Sequence, residues 1–145
     1  MNALAPLSAI VSRLEESTGY RVYTSRDVDT GKRMAQRAPC LFVAYGGYSV
    51  DDEMPMSQSI TQLWIVLVAV ENERNNQGGD NATETAGKMV YAVMKALGGF
   101  VVSGDDLPDF TPLRLVNQPG SVGYDDKFFY YPVGFETKMR IRNEC

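Results

Sequence analysis

Ser59–Glu71, with the sequence SITQLWIVLVAVE, is the most strand-like stretch of the chain and decides the fold. Apolar residues occupy both sets of alternating positions, so both faces of this strand are apolar. Such a strand must be covered on both sides. We therefore predict a central strand, or a strand whose second face is buried by a neighbouring subunit. The even positions include Ile60, Trp64, Val66, Val68 and Val70, and the odd positions include Leu63, Ile65 and Leu67.

The residues before this strand predict a helix and two shorter strands. Leu4, Leu7, Val11 and Leu14 repeat at helical spacing, and Thr18-Gly19 should end that helix. Tyr20–Thr24 and Cys40–Tyr45 have strand composition, and we expect Gly46-Gly47 to end the second strand. Ser25–Ala38 and Tyr48–Gln58 carry no apolar period and are expected to be mobile loops.

The residues after it predict a second helix and two more strands. A polar loop covers Glu71–Asp80, and Asn81 with Glu84 has the spacing of a capping box at a helix start. An apolar stripe follows until Gly98-Gly99, and it consists of Ala86, Met89, Val90, Val93, Met94 and Leu97. Leu113–Val116 is a short strand, and Phe129–Ile141 is a long one.

The last strand alternates, with Glu136, Lys138 and Arg140 on its polar face. The element order α-β-β-β-α-β-β indicates an α+β fold: a mostly antiparallel sheet with two helices packed on one face. The length of 145 residues fits one domain, 1–145.

The composition disfavours most catalytic chemistry. The chain has no histidine, which removes the usual general base and the commonest transition-metal ligand. Asp51-Asp52-Glu53 could be imagined as a magnesium site of a metal-dependent hydrolase, but adjacent residues on an extended chain point to opposite sides. We expect no enzyme activity, no metal and no cofactor. Cys40 and Cys145 form no C-x-x-C motif, and a buried thiol with a loose terminal one is favoured over a disulfide.

The charge pattern favours contacts between copies of the chain. The net charge is −4, which argues against direct nucleic-acid recognition. Basic residues nevertheless cluster in the first loop, and acidic residues cluster at Asp51–Glu53. Oppositely charged patches suit head-to-tail association, although solvated loops explain any single cluster equally well. The longest apolar run, Leu63–Val70, is too short for a membrane span, and the first ten residues do not look like a signal peptide, so we expect maturation in the cytoplasm.

The whole pattern resembles the tail terminators of long-tailed phages, especially the Mu-like group, and more distantly the lambda-type minor tail protein. The resemblance is carried by RAPCLFVAYGG (37–47), SITQLWIVLVAVENERNNQGGDN (59–81), TAGKMVYAVMKALGG (85–99) and YPVGFETKMRI (131–141), in this order. Members of that family form hexameric rings that sit on the last tube ring, stop its polymerisation and bind the head-completion proteins.

The resemblance implies a structural virion protein with three partners: itself, the tail tube protein and a head-completion or neck protein. It would sit at the head-proximal end of the tail after assembly in the bacterial cytoplasm. Charged residues of the loops and the last strand are the candidate subunit and tube contacts: Arg26, Arg33, Arg37, Asp51, Asp52, Glu53, Glu71, Arg74, Glu136, Lys138 and Arg140. We expect Arg26, Arg33 and Arg37 to face Asp51, Asp52 and Glu53 of the next subunit.

Two alternatives stay open at this point. A head-tail connector uses a similar small α+β domain. A small ligand- or nucleic-acid-binding domain could use the aromatic residues as a stacking platform, although they are not interleaved with basic residues. These aromatics are Tyr45, Tyr48, Trp64, Tyr124 and Phe128–Tyr131.

Overall fold

The computed structural model describes residues 1–24, 39–53, 57–71, 80–124 and 128–142. Its elements are α1 (Pro6–Thr18), β1 (Val22–Thr24), β2 (Cys40–Glu53), β3 (Ser57–Glu71), α2 (Asp80–Leu97), β4 (Arg114–Leu115), β5 (Gly123–Tyr124) and β6 (Phe128–Arg142). The predicted α+β class and the order of the main elements are confirmed. Residues 25–38 and 72–79, which include Arg26, Arg33, Arg37 and Arg74, lie outside the described residues.

The sheet is mixed and has β3 at its centre. The strand order is β1-β2-β3-β6-β4, and β5 also pairs with β6. β3 pairs antiparallel with β2 on one side and with β6 on the other, from Ser57↔Arg142 to Glu71↔Phe128. Among the described strands, only β1 runs parallel to its neighbour, which is β2. The prediction of a central strand at Ser59–Glu71 is therefore confirmed.

The core lies between the helices and one face of the sheet. The even positions of β3 are buried from Ile60 to Val70, together with alternating residues of β2 and β6. α1 contributes Ile10 and Leu14, and α2 contributes a buried stripe of Ala86, Met89, Val93, Ala96 and Leu97. The odd residues Leu63, Ile65 and Leu67 are half-buried on the opposite face. The second face of β3 is thus less covered than the first.

A polar pair inside the core fixes the N-terminal segment to the sheet. Gln62 is 1% exposed, and its Nε2 donates to the Ala3 carbonyl at 2.7 Å. Trp64 Nε1 donates to Gln62 Oε1 at 3.1 Å. Both side chains are satisfied, so their burial does not leave an unpaired polar group.

β2 does not end at Gly46-Gly47, so the prediction of a loop from Tyr48 was wrong. The strand continues to Glu53, and the register shifts between Tyr45↔Trp64 and Tyr48↔Gln62. The two glycines form a bulge instead: Gly47 has φ +94°, and a Cβ on Gly46 would lie 2.8 Å from Leu63 Cγ. Glycine tolerates both the positive φ and the close approach, and bulges bend a strand without ending it.

Other boundaries also differ from the predictions. The second helix begins at Asp80, so Asn81 lies inside the helix and is not its N-cap. Glu84 Oε1 forms an ion pair with Lys88 Nζ, four residues later, at 3.3 Å. Leu4 is 48% exposed and precedes α1, so it is not part of the buried stripe. The short strand β5 had no sequence signal, because a two-residue strand is defined by its partner alone.

We expect Phe135→Ala to lower the free energy of unfolding by about 3–5 kcal/mol, because it removes a buried ring from the centre of the core. Phe135 is 0% exposed and lies opposite Leu115, which is 46% exposed. Leu115→Ala is the matched control and should change the stability by less than about 1 kcal/mol. Urea unfolding measures both, and equal effects would contradict the placement of the core.

Candidate functional site

Two kinds of functional feature are absent from the described residues. Among them, no three His, Cys, Asp or Glu side chains come together to hold a metal ion. Within the same residues, no helix is long and apolar enough to cross a membrane. Cys40 is free and buried, and burial raises the pKa of its thiol, which makes it a poor nucleophile. The surfaces of the sheet are therefore the site to consider.

A row of polar side chains crosses the three long strands on the face opposite the helices. It consists of Asp51, Thr61 and Lys138. Thr61 Oγ1 donates to Asp51 Oδ2 at 2.5 Å. Lys138 Nζ lies 3.7 Å from the same oxygen. β3 places Thr61 between the other two, since it pairs with Lys138 on one side and Ser49 on the other. Asp51 therefore already has partners within its own chain.

The other charged candidates are dispersed along the sheet. Arg114 donates from Nη2 to Glu136 Oε1 at 2.6 Å, so Glu136 is paired as well. Arg140 is exposed near the end of β6, and Glu71 is exposed at the end of β3. β3 runs antiparallel to β6, so Glu71 pairs with Phe128 at the opposite end of β6 from Arg140. Asp52 and Glu53 belong to β2, and Arg26, Arg33, Arg37 and Arg74 lie outside the described residues.

An exposed apolar strip on β2 was missed by the sequence reasoning. Tyr45, Tyr48 and Val50 are 40%, 65% and 49% exposed. Their partners across β3 are Trp64, Gln62 and Ile60, which belong to the helix-bearing face. The signal was present as the alternation Tyr48-x-Val50, but the preceding glycines were interpreted as the end of the strand.

Trp64 cannot serve as a stacking platform for bases. Its ring is 1% exposed and lies under the Tyr45 ring, with the centroids 4.9 Å apart. Bases stack on an exposed aromatic face, so this burial removes Trp64 from the aromatic residues considered for the nucleic-acid alternative.

A groove of about 1090 Å³ lies beside the end of β6. Its walls include Met1, Leu107, Phe110, Lys138, Arg140 and Ile141. Next to the groove, the Thr111 N–H donates a backbone hydrogen bond to the Lys138 carbonyl of β6 at 2.9 Å. Beyond this point the outer edge of β6 faces the groove.

Comparisons with known proteins identify a family and a similar fold. The family model described as phage tail terminator protein matches residues 1–144. A chain from the solved structure titled "Virion of native gene transfer agent (GTA) particle" has a similar fold, with a TM-score of 0.60 at 15% sequence identity. The similarity covers 97% of this chain and 100% of that chain. A sequence search among curated proteins found no match.

We expect Thr61→Val to lower the free energy of unfolding by about 1–2 kcal/mol, because it removes a hydrogen bond to a carboxylate while keeping the shape of the side chain. Lys138→Met should cost less than about 1 kcal/mol, because its pairing with Asp51 is long and its side chain is 53% exposed. Thermal or urea unfolding of the two variants measures the difference. A larger loss for Lys138→Met would mean that the ion pair, and not the hydroxyl, holds Asp51.

Proposed function

The chain belongs to the phage tail terminator family, and from this premise we propose that it caps the finished tail tube as a ring. The ring stops tube polymerisation and forms the surface that the head-completion or neck protein binds. The observation that carries the proposal is the family match, which extends over residues 1–144. The chain is a phage structural protein on the same ground.

In the proposed function, the protein acts by binding other proteins through its surfaces and not by catalysing a reaction. We infer one tail-terminator-like domain over 1–145, without catalytic activity, cofactor or direct nucleic-acid recognition. It would occupy the head-proximal end of the tail in the virion, after assembly in the host cytoplasm. The acidic composition supports the absence of nucleic-acid binding, because the net charge of −4 disfavours the phosphate backbone.

The subunit contact is proposed to be heterologous and to close by rotation, with six copies in the ring. Arg26, Arg33 and Arg37 of one subunit would face the acidic end of β2, Asp51–Glu53, of the next. Asp51 already accepts a hydrogen bond from Thr61 and lies near Lys138 within its own chain, so an intermolecular contact of Asp51 would compete with these partners. Glu71, Arg74, Glu136, Lys138 and Arg140 are proposed for contacts with the tube, the neck or a neighbouring subunit.

Native mass spectrometry of the purified chain over a wide concentration range tests the ring. We expect a single higher species of six subunits whose share grows with concentration, because a closed ring leaves no further free surface. The same measurement with added tail tubes covers a ring that needs the tube as its template. A chain that stays monomeric alone and does not bind tubes would contradict the proposal. Binding to a portal-side adaptor without binding to tubes would indicate a connector instead.

Reversing two basic residues tests the charged contact. We expect Arg33→Glu with Arg37→Glu to weaken ring formation at least tenfold, because like charges would then face the acidic end of β2. Lys88→Glu with Lys95→Glu is the matched control, since it changes the net charge equally on α2, where Lys88 is 74% exposed. Unchanged assembly of the first variant, or equal weakening of both, would discard the pairing.

A further inference from the structure

We propose that neighbouring subunits join through their strand edges: the outer edge of β2 pairs with the outer edge of β6 of the next copy, in parallel orientation. The sheet would then continue from subunit to subunit around the ring. This inference rests on the proposed function, since it names the contact by which the ring closes. It pairs the acidic end of β2 with the basic end of β6 of the next copy, and this pairing replaces the one with Arg26, Arg33 and Arg37.

The first edge is the outer side of β2 from Ala44 to Glu53. β1 pairs only with Leu41–Val43, and no other described strand pairs with this side of β2. Among the described residues, the part of this edge without a partner strand is about 30 Å long, at about 3.3 Å per residue. Free edges of this length are usually blocked by charges or proline. Here Ala44–Val50 contains neither.

The backbone of this edge is oriented for pairing. Leu41 N–H donates outward to the Arg21 carbonyl at 2.8 Å, and the groups of alternate residues point the same way. The bulge keeps this pattern, because Tyr48 and Val50 stand opposite Gln62 and Ile60 just as Tyr45 stands opposite Trp64. The N–H and C=O groups of Tyr48 and Val50 therefore point away from β3.

The second edge is the outer side of β6 at Arg140–Arg142. The carbonyls of Gly134 and Lys138 accept from Val116 N–H at 3.0 Å and Thr111 N–H at 2.9 Å, so alternate residues of β6 point outward. By the same alternation, the backbone N–H and C=O groups of Arg140 and Arg142 point outward, away from β3. Among the described residues, no strand pairs with β6 on this side beyond the Phe110↔Met139 bridge. The groove beside Met1 and Phe110 gives an incoming strand access to this edge.

The topology fixes the direction of pairing. β2 and β6 flank the single strand β3 and both run antiparallel to it, so they run in the same direction. A ring is generated by rotation, and a rotation that keeps the helices on one side of the sheet also keeps the strand direction. The two edges therefore meet in parallel. In β2, the residues whose backbone N–H and C=O groups point outward belong to the helix-bearing face of the sheet. In β6, the residues whose backbone groups point outward belong to the opposite face. A parallel ladder requires this difference between the two strands.

Charge and shape favour a second copy of this chain as the occupant. β2 ends in Asp51-Asp52-Glu53, whereas Lys138, Arg140 and Arg142 stand at the end of β6. The apolar residues Val50 and Ile141, 49% and 37% exposed, lie on the same face of the sheet. Pairing the two edges would bring opposite charges together on one face and cover apolar surface on the other.

Disulfide trapping on the full chain tests the contact. The background is Cys145→Ser, because the remaining Cys40 is 1% exposed. Val50→Cys with Ile141→Cys, or Tyr48→Cys with Ile141→Cys for a register shifted by two, should give a covalent ladder in single-subunit steps under mild oxidation. Within one chain these positions are two strands apart, about 10 Å, beyond the reach of a disulfide. Val50→Cys with Tyr91→Cys is the control, since Tyr91 is exposed on α2, and it should give no ladder.

The outcomes separate this inference from the proposed function. Native mass spectrometry and tube binding first establish whether each variant assembles. Assembled rings with a ladder from one of the two pairs support the strand-edge contact. Assembled rings without a ladder from either pair overturn the contact and leave the terminator function standing. Failure of the unmodified chain to assemble, alone and with tail tubes, overturns both.

A second readout needs no new cysteine. Hydrogen exchange of peptides covering 48–53 and 140–142 should slow at least tenfold when the monomer is driven into the ring, because their outward amides gain partners. Peptides from α2 around Tyr91 should not change. Unchanged exchange at both edges in the ring would overturn the contact.

Discussion

The pairing of β3 on both sides along its length is the constraint on which the rest of the structure depends. A strand that is apolar at both even and odd positions can be accommodated only inside a sheet. β2 and β6 supply the two neighbours, and all three strands are long enough to extend past the helices. The helices then cover the part of the sheet near Val66 and Val68, where burial is complete. The other end of the sheet is left with Ile60 as its last buried residue of β3.

This arrangement leaves the second part of β2 uncovered, although β3 and β6 stay buried beside it at Ile60 and Met139, which pack with Val102 and Phe110. The change occurs at Gly46-Gly47: Leu41 and Val43 are buried before this bulge, and Tyr48 and Val50 are exposed after it. Beyond the bulge, Tyr48 and Val50 are exposed on the face that carries the helices elsewhere. In a monomer such apolar residues on a free edge favour aggregation. In the proposed ring, these residues would be available for contact with a neighbouring subunit.

The charged residues are used more within the chain than their sequence pattern indicated. Asp51 accepts from Thr61 and approaches Lys138, and Glu136 accepts from Arg114. Each of these contacts joins residues of different strands: Asp51 and Thr61 lie on neighbouring strands, as do Arg114 and Glu136, while Lys138 reaches Asp51 across β3. A charge that already has a partner contributes less to a new interface, since binding must then compete with that partner. Arg140, which is exposed, is better placed for an intermolecular role than Glu136.

The sequence by itself determined the class of fold and the position of its main elements. The two-sided apolar pattern of Ser59–Glu71 required a central strand, the alternation of Phe129–Ile141 required a half-covered one, and the stripe ending at Gly98-Gly99 required a helix packed on the sheet. These follow from local periodicity, because 2.0 and 3.6 residues per repeat distinguish strands from helices without knowledge of any neighbour. The family resemblance also rested on this order of elements, and the family match agrees with it. Only the tertiary structure decided that Gly46-Gly47 bends β2 and does not end it, that β5 exists, and that Asp51 meets Thr61 and Lys138. Each of these depends on which strand lies next to which, and pairing across a sheet is a long-range relation that no local pattern contains.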